Sequence, residues 1–575
     1  MKPLRFVLAV PRRAANLAMP SIVETPEQVC TAVPALWCDS ETPWHFANGR
    51  CCVIGIAFSR GTFRRVSSVV EPVPDRATAG ATARYLVTKF WGGYFAIIED
   101  HSNGHIGLLV DPSGLLPVYH LTTPDHDLYA SDPCLFARSG MPEPPVSYLA
   151  LHAHLLKPEL RRRVTCLEGV DELAPGVLHF PGMPEGPPQA IWHATDFLPS
   201  GEILDFEEYA DQLKGLSTAV IHCWSESLGK ASVAASGGVD SSLICAALTH
   251  AEQRFDCVTL ATLDPTGDER IYARRVADWF DVRCAERVYD PALYDPNRSA
   301  SEGLPRPARR SFQQVLDTLL LDAMTELGAS TIYDGNGGDN LFCFLHSSAP
   351  VVDRLAAEGL GAGACRTLVD MCRITGCSIP SMGAAAFRRY SRKRRKETWR
   401  DDTSLLVPQT GKVSTEALVP WLSNAPQAVS GKRDHLALIM RAQNHIHGLS
   451  AGLPRFSPLA SQPLVEFCLG VPTWIWASGG KNRALARAAF ADCLPRSVLA
   501  RTSKAGPDSF VRQAFARNRA AIGERLLDGL LAANGLIDRK ALETALRTDE
   551  TDDDSRFGRV LDLLEAENWA RSWIG

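Results

Sequence analysis

Residues 231–250 read ASVAASGGVDSSLICAALTH, and the fold follows from them. Residues 231–235 form a short apolar run of strand type, and 243–250 continue with a helical pattern. Between them stands Ser236-Gly237-Gly238-Val239-Asp240-Ser241-Ser242. Glycines let the backbone turn sharply and come close to a ligand. The helix start offers unpaired N–H groups and the positive end of a dipole, which suits phosphate. Ser236, Ser241 and Ser242 add hydroxyl donors, and Asp240 can hold a magnesium ion that bridges phosphate oxygens. The G-K-[ST] ending of a Walker loop is missing.

Outward from this stretch, strand and helix alternate. Residues 206–228 are a helical pattern, 257–263 a strand, and 268–280 a charged helix. A strand at 283–289, a helix at 312–327 and a strand at 331–333 follow. This alternation predicts a parallel sheet with covering helices, an α/β fold. The last strand leads into Asp334-Gly335-Asn336-Gly337-Gly338-Asp339-Asn340. Ligands of open α/β sheets bind outside the carboxyl ends of strands, so two glycine-rich strand ends, each with an Asp, fit one nucleotide–magnesium site. Beyond about residue 350 the pattern is mainly helical.

The first 200 residues read differently, as strands and turns with few helices. Residues 92–98 and 106–110 flank His101-Ser102-Asn103-Gly104, a hairpin signal, and a third run covers 115–121. Residues 182–188 (GMPEGPP) are turn-rich and lead towards a linker ending near Gly201. Two domains are therefore expected, 1–200 and 201–575.

Of the 575 residues, 45% are hydrophobic and 22% charged, enough apolar surface to offset chain entropy and exclude general disorder. The net charge of −5 disfavours a nucleic-acid-coating protein. No apolar stretch approaches the ~18 residues of a membrane span, and the five-residue run at 6–10 is too short for a signal-peptide core. A cytoplasmic location is expected. Sixteen cysteines without a C-x-x-C pair predict buried free thiols. A basic run at 388–396 and an acidic run at 548–554 read as solvated surface, the former with docking of an acidic partner as its functional option. His445 and His447 read as packing or capping residues.

SGGVDSS followed by GNGGDNLF resembles the synthetase domain of the asparagine synthetase family, which includes β-lactam synthetases and the cyclases that close lasso peptides. Asp268-Glu269, residues 441–450, Phe456-Ser457-Pro458-Leu459, Leu464 to Phe467, residues 481–487, Leu494-Pro495 and Arg501-Thr502-Ser503-Lys504 are similar to the family's later motifs, in order. Gly93 to Ala96, residues 111–119 and Tyr129-Ala130-Ser131 resemble the end of its amidotransferase domain. The resemblance implies an N-terminal Ntn-amidotransferase-like β-rich sandwich followed by a PP-loop adenylating domain. It implies ATP and magnesium as cofactors. Ala235, Ser236, Gly237, Gly238, Asp240, Ser241, Ser242, Thr262, Asp334 and Gly335 are then the ATP-binding residues, and Asp240 and Asp339 the metal ligands. Lys504 matches the catalytic lysine, which would stabilise charge on phosphate and acyl oxygens.

Two departures bear on function. Glutamine-dependent members begin with a catalytic Cys after the initiator Met; here position 2 is Lys2, the first cysteine is Cys30, and residues 45–80 hold no counterpart of the glutamine-pocket motifs. The N-terminal domain is therefore expected to be catalytically silent. Asn336 stands where asparagine synthetase carries Glu and β-lactam synthetase Tyr, and an amide cannot act as a base. Asp370, where β-lactam synthetase keeps the carboxylate partnering its Tyr, is a candidate catalytic group.

The resemblance points most closely to a lasso-peptide cyclase. It implies ATP-dependent macrolactam closure between the N-terminal amine and an Asp or Glu side chain of a precursor core peptide. Asn336, Arg309 and Arg310 are the candidate substrate-binding residues, and the pathway's leader peptidase and leader-binding protein are possible partners. β-Lactam or other small-molecule amide synthesis, or ammonia-dependent asparagine synthesis, is the alternative within this chemistry. A sulfur-transferring or tRNA-modifying PP-loop enzyme fits poorly with the acidic balance. A non-enzymatic peptide-binding scaffold fits poorly with Asp240, Asp339 and Lys504 together.

Overall fold

The computed structural model describes residues 4–12, 35–38, 44–45, 50–66, 78–182, 189–391, 399–408, 416–425, 430–449, 452–501, 506–547 and 554–574. The fold is mixed α/β. Five parallel strands lie in the order Cys284–Val288, Phe255–Ala261, Ala231–Ala234, Thr331–Tyr333 and Arg455–Phe456. The chain steps outward in one direction through the first three strands, then returns to the other side of Ala231–Ala234. The order thus reverses between Ala231–Ala234 and Thr331–Tyr333, where an open parallel sheet leaves a crevice for a ligand. Both glycine-rich motifs leave the carboxyl ends of these two strands.

Local chemistry explains the covering helices. Phe206–Leu228 starts with a capping box: the Glu208 N–H donates to Asp205 at 2.8 Å, and the Asp205 N–H donates to the Glu208 carboxylate at 3.1 Å. Val239–His250 is buried on nearly every side, as its apolar sequence requires. Gln313–Leu327 stops at Gly328, whose left-handed backbone (φ +61) closes the last turn.

The N-terminal half holds two antiparallel sheets. One has Phe6–Pro11 between Ala35–Cys38 and His126–Ala130 and continues to Tyr119–Thr122 and Val170–Glu172. The other runs from Gln189–Ala190 through Val177–His179, Ile106–Val110, Phe90–Glu99 and Cys51–Ser59 to Trp44–His45. Their facing sides share one core, in which Phe6 stacks on Phe95 with centroids 5.1 Å apart. Each such fully buried ring contributes ~2–3 kcal/mol. Cys51 and Cys52 show the strand period: the first faces the helical side and the second the core between the sheets. The described cysteines are free thiols.

The halves are welded together. Glu466 accepts from both terminal nitrogens of Arg60 at 2.6 and 2.8 Å, and from Trp192 Nε1 at 2.7 Å. Strand residues Val7, Leu128 and Ala130 share a core with helices Asp508–Leu527 and Asp554–Ser572.

The hairpin forms as expected. The third run does not extend over 115–121; only Tyr119–Thr122 is a strand. Pro117 lacks an N–H, and the Asp111 carboxylate takes the Leu116 N–H at 3.4 Å and the Ser113 hydroxyl, holding a turn there. Two helices, Ala79–Lys89 and Tyr148–Leu156, stand where strands and turns were expected. The second (YLALHAHLL) is largely buried, so no polar face marks its period. The second parallel strand sits at Phe255–Ala261, two residues earlier than its apolar run. Residues 183–188, 392–396 and 548–553, which hold most of the turn-rich, basic and acidic segments, lie outside the described residues.

Candidate active site

Gly237 turns the first loop with φ +66. A Cβ there would lie 2.3 Å from Tyr272 Cβ and 2.7 Å from its carbonyl carbon, so glycine alone fits. Within the loop the Gly238 N–H donates to Ser236 Oγ and the Ser236 N–H to Ser241 Oγ, both at 3.3 Å. Ala235, still sheet-like, donates its N–H to Val258 O at 2.8 Å. Arg501 braces the loop from outside: Nη1 donates to Ser236 O at 2.7 Å, Nη2 pairs with Glu269, and the guanidinium lies 4.0 Å from the Tyr272 ring centroid. Thr262, past the second strand, donates Oγ1–H to Asp264 O at 2.8 Å and is nearly sealed from solvent. These bonds fix the loop's shape, while the buried Ser242 hydroxyl has no partner among the described residues; a glycine turn ahead of a helix N-terminus suits phosphate oxygens.

The second loop is locked by Asp334. Its carboxylate accepts from Ser457 Oγ at 2.6 Å, the Asn336 N–H at 3.1 Å and Asn336 Nδ2 at 2.7 Å. Burial raises its pKa, opposed by Arg455 and these donors. Asn336 therefore spends its amide as a donor to Asp334. The two loops touch through their glycines. A Cβ on Gly335 would be 2.9 Å from Ser241 N, and one on Gly338 would be 2.5 Å from Asp240 Cγ.

Between the loops Asp240 and Asp339 converge on one cation, Arg483. Its Nη1 lies 2.7 Å from Asp240 Oδ2 and bonds Asp339 as well. Arg483 adopts φ +52, a costly backbone for a residue with a Cβ. Two hard carboxylate oxygens sharing one positive group form a donor set that suits magnesium. Asp240 and Asp339 would hold that ion. Bound there, it would neutralise phosphate oxygens during displacement at phosphorus. Among the described residues no group of three or more His, Cys, Asp or Glu side chains is placed to hold a metal. Magnesium usually completes its shell with phosphate and water.

The loop opens into a cavity of about 830 Å³. Asn336 and Asp339 line it from the sheet, Arg309 and Arg310 from the loop before Gln313–Leu327, and Tyr119, His154 and Arg161 from the N-terminal half. Arg309 pairs with Asp562 at 3.3 Å. Among the described residues no hydrogen bond or ion pair engages the Arg310 guanidinium. Glu172, fully buried, is flanked by Arg161 and Arg306; burial opposes its charge, and the two guanidiniums outweigh that and hold it at about 2. Burial, with Arg161 next, lowers His447 to about 3 and keeps the ring neutral.

Asp240, Ser241, Gly335 and Gly338 thus meet between the two loops, and Arg309 and Arg310 share a cavity with Asn336 and Asp339; two further candidates are not placed with them. Asp370 does not line this cavity; it faces a second one with Lys481 and Arg487, 3.7 Å from Arg373. Lys504 lies outside the described residues, as do Lys2 and Cys30. Reading the sequence missed Arg483 and Arg501 as site residues, and with them the N-terminal wall of the cavity. The stretches 481–487 and 501–504 carried a signal only through their resemblance.

A family model described as asparagine synthase matches residues 216–571. No curated protein matches the chain. Among solved structures, the chain has distant likeness to the allosteric regulatory enzyme of purine biosynthesis: 9% identity, 51% of this chain and 76% of that one covered, TM-score 0.20. It has a similar likeness to the glutamine phosphoribosylpyrophosphate amidotransferase from B. subtilis complexed with ADP and GMP: 10% identity, 58% and 84% covered, TM-score 0.21. Neither overlap is close enough to mark a shared fold. No described helix is long and apolar enough to cross a membrane. With the family model spanning most of the chain and its glycine loops meeting at a paired-carboxylate crevice, the chain belongs to the asparagine synthase family, whose enzymes use ATP to form amide bonds.

Proposed function

We propose that the chain joins an amine to a carboxylate through an acyl-adenylate, and that both groups belong to one precursor peptide, closed into a macrolactam. The observation that carries this is the cavity at Asn336: about 830 Å³ across both halves of the chain, walled by Arg161, Arg306, Arg309 and Arg310. That is ample for a peptide segment with acidic groups, and far more than ammonia needs. The silent N-terminal domain, 1–200, then serves as a wall of the substrate site for the synthetase domain, 201–575. The carboxylate attacks the α-phosphorus of ATP and pyrophosphate leaves; the amine then attacks the acyl carbon and AMP leaves. Lys504 supplies positive charge to the oxygens that become negative in both steps. Asn336, held by Asp334, orients and does not deprotonate, so the amine arrives neutral or gives its proton to solvent. The leader peptidase and leader-binding protein of such a pathway are the partners this reading implies, with a cytoplasmic location.

The test is mass spectrometry of the purified protein with ATP, magnesium and a leaderless core peptide. Loss of one water from the peptide with stoichiometric AMP is expected. AMP formed with an unchanged peptide would move the reading to another acceptor. ADP in place of AMP would overturn the adenylate route.

A further inference from the structure

The second cavity, about 590 Å³, stands apart from the site just described. Its wall includes Arg354, Arg366, Asp370, Trp474, Lys481 and Arg487, four cations against one carboxylate. Two of the cations are committed. Arg354 Nε lies 2.9 Å from Glu358, and its Nη1 donates to Thr367 at 3.1 Å. Arg487 spends its N–H groups on carbonyls of Asn482, Leu499 and Arg501 at 2.6–2.9 Å. Among the described residues no hydrogen bond or ion pair engages the side chains of Arg366 and Lys481. Phe206, Ile475 and Leu499 add apolar wall, and Trp474 offers little ring surface, being 7% exposed with Arg354 5.8 Å from its centroid.

Two covalent or hydrogen-bonded links tie this cavity to the nucleotide loops. Lys481 precedes by two residues the Arg483 that holds Asp240 and Asp339. Arg487 donates at 2.9 Å to the carbonyl of Arg501, whose guanidinium grips Ser236 O at 2.7 Å.

We propose that this cavity is a pyrophosphate site: Lys481 and Arg366 receive the oxyanion released at Asp240 and Asp339 and hold it on its way to solvent. The identity of the ligand rests on the adenylating reading above; the site itself rests on the charges and the cavity. A polyphosphate oxyanion, compact and multiply charged, matches two separated cationic heads better than a single carboxylate does.

The test is calorimetric titration of pyrophosphate, without ATP, into the full chain, into Asp240→Ala, and into the double variant Lys481→Ala/Arg366→Ala. Both replaced cations are exposed, so the fold should persist, and an unchanged thermal melt checks this. Binding retained in Asp240→Ala but weakened about a hundredfold in the double variant is expected, since each of the two lost charge-assisted bonds is worth about tenfold. Binding unchanged in the double variant, or abolished by Asp240→Ala alone, overturns the site. Inorganic phosphate bound as tightly as pyrophosphate overturns the ligand assignment. Titration needs no turnover, so failure of the adenylating reading shows separately, as absent AMP in an enzyme that still binds pyrophosphate.

Discussion

Replacing Gly338 by Ala should switch off the site while leaving the fold in place. The added Cβ would sit 2.5 Å from Asp240 Cγ and 2.6 Å from its Cβ, where ordinary contact begins at 3.4 Å. Asp240 must therefore retreat by about 0.9 Å, or the Gly338–Leu341 turn must move away with Asp339. Either movement separates the two carboxylates that share one cation. A misplacement of about 1 Å at reacting groups costs about a hundredfold in rate, while overpacking of this size costs about 1–3 kcal/mol of stability. The assay pairs AMP release in the presence of ATP, magnesium and core peptide with a denaturant melt. Gly361→Ala is the control, because nothing lies within 4 Å of a Cβ at that position. A Gly338→Ala enzyme within threefold of wild-type turnover would refute the claim that these loops meet through Asp240.

Removing the Arg483 cation by Arg483→Met leaves Asp240 and Asp339 facing each other, so stability measured in EDTA should fall by about 1–3 kcal/mol and recover on adding magnesium; a loss that magnesium does not restore would contradict a shared cation site. His154 and His447 are held near 3 against an ordinary value near 6.5, burial being the first cause in both. Because the unfolded chain binds more protons between those values, stability rises with pH there and is lost as pH falls below 6.5. Unfolding at pH 5 should thus be easier than at pH 6.5 by about 1.6 kcal/mol per ring, and His447→Asn should flatten that slope in denaturant melts. Glu565 accepts from Ser299 Oγ at 2.7 Å and from the N–H groups of Ala300 and Ser301 at 3.0 Å, fixing the loop that carries Arg309 and Arg310. Glu565→Ala should cost about 3 kcal/mol and raise KM for the peptide more than KM for ATP. Equal changes in both would show that the loop does not position the substrate.

The glycine loops were legible because phosphate chemistry demands them: Gly237 and Gly338 have no room for a Cβ, so the sequence has no alternative there. The alternation of strands and helices from Phe206 to Tyr333 was legible for the same kind of reason, since one period changes to the other at caps such as Asp205. Arg483 was not, because a single arginine carries no mark of its left-handed backbone or of the carboxylates it meets 243 and 144 positions away. The N-terminal wall of the cavity was hidden likewise. Tyr119 and Arg161 come to line one cavity with Asn336 only through packing of the two halves, which no local pattern encodes. Tyr148–Leu156 escaped because its sequence, YLALHAHLL, is apolar almost throughout and so offers no polar face to mark a helical period.

The proposed adenylation activates a peptide carboxylate at the Asp240–Asp339 crevice. Its most direct measurement uses core peptide with both oxygens of the acceptor side chain labelled with heavy oxygen, followed by mass analysis of the AMP released. One labelled oxygen in the AMP is the result predicted, since the carboxylate oxygen that attacks phosphorus leaves with it. AMP without label, beside a peptide that has lost water, would contradict it.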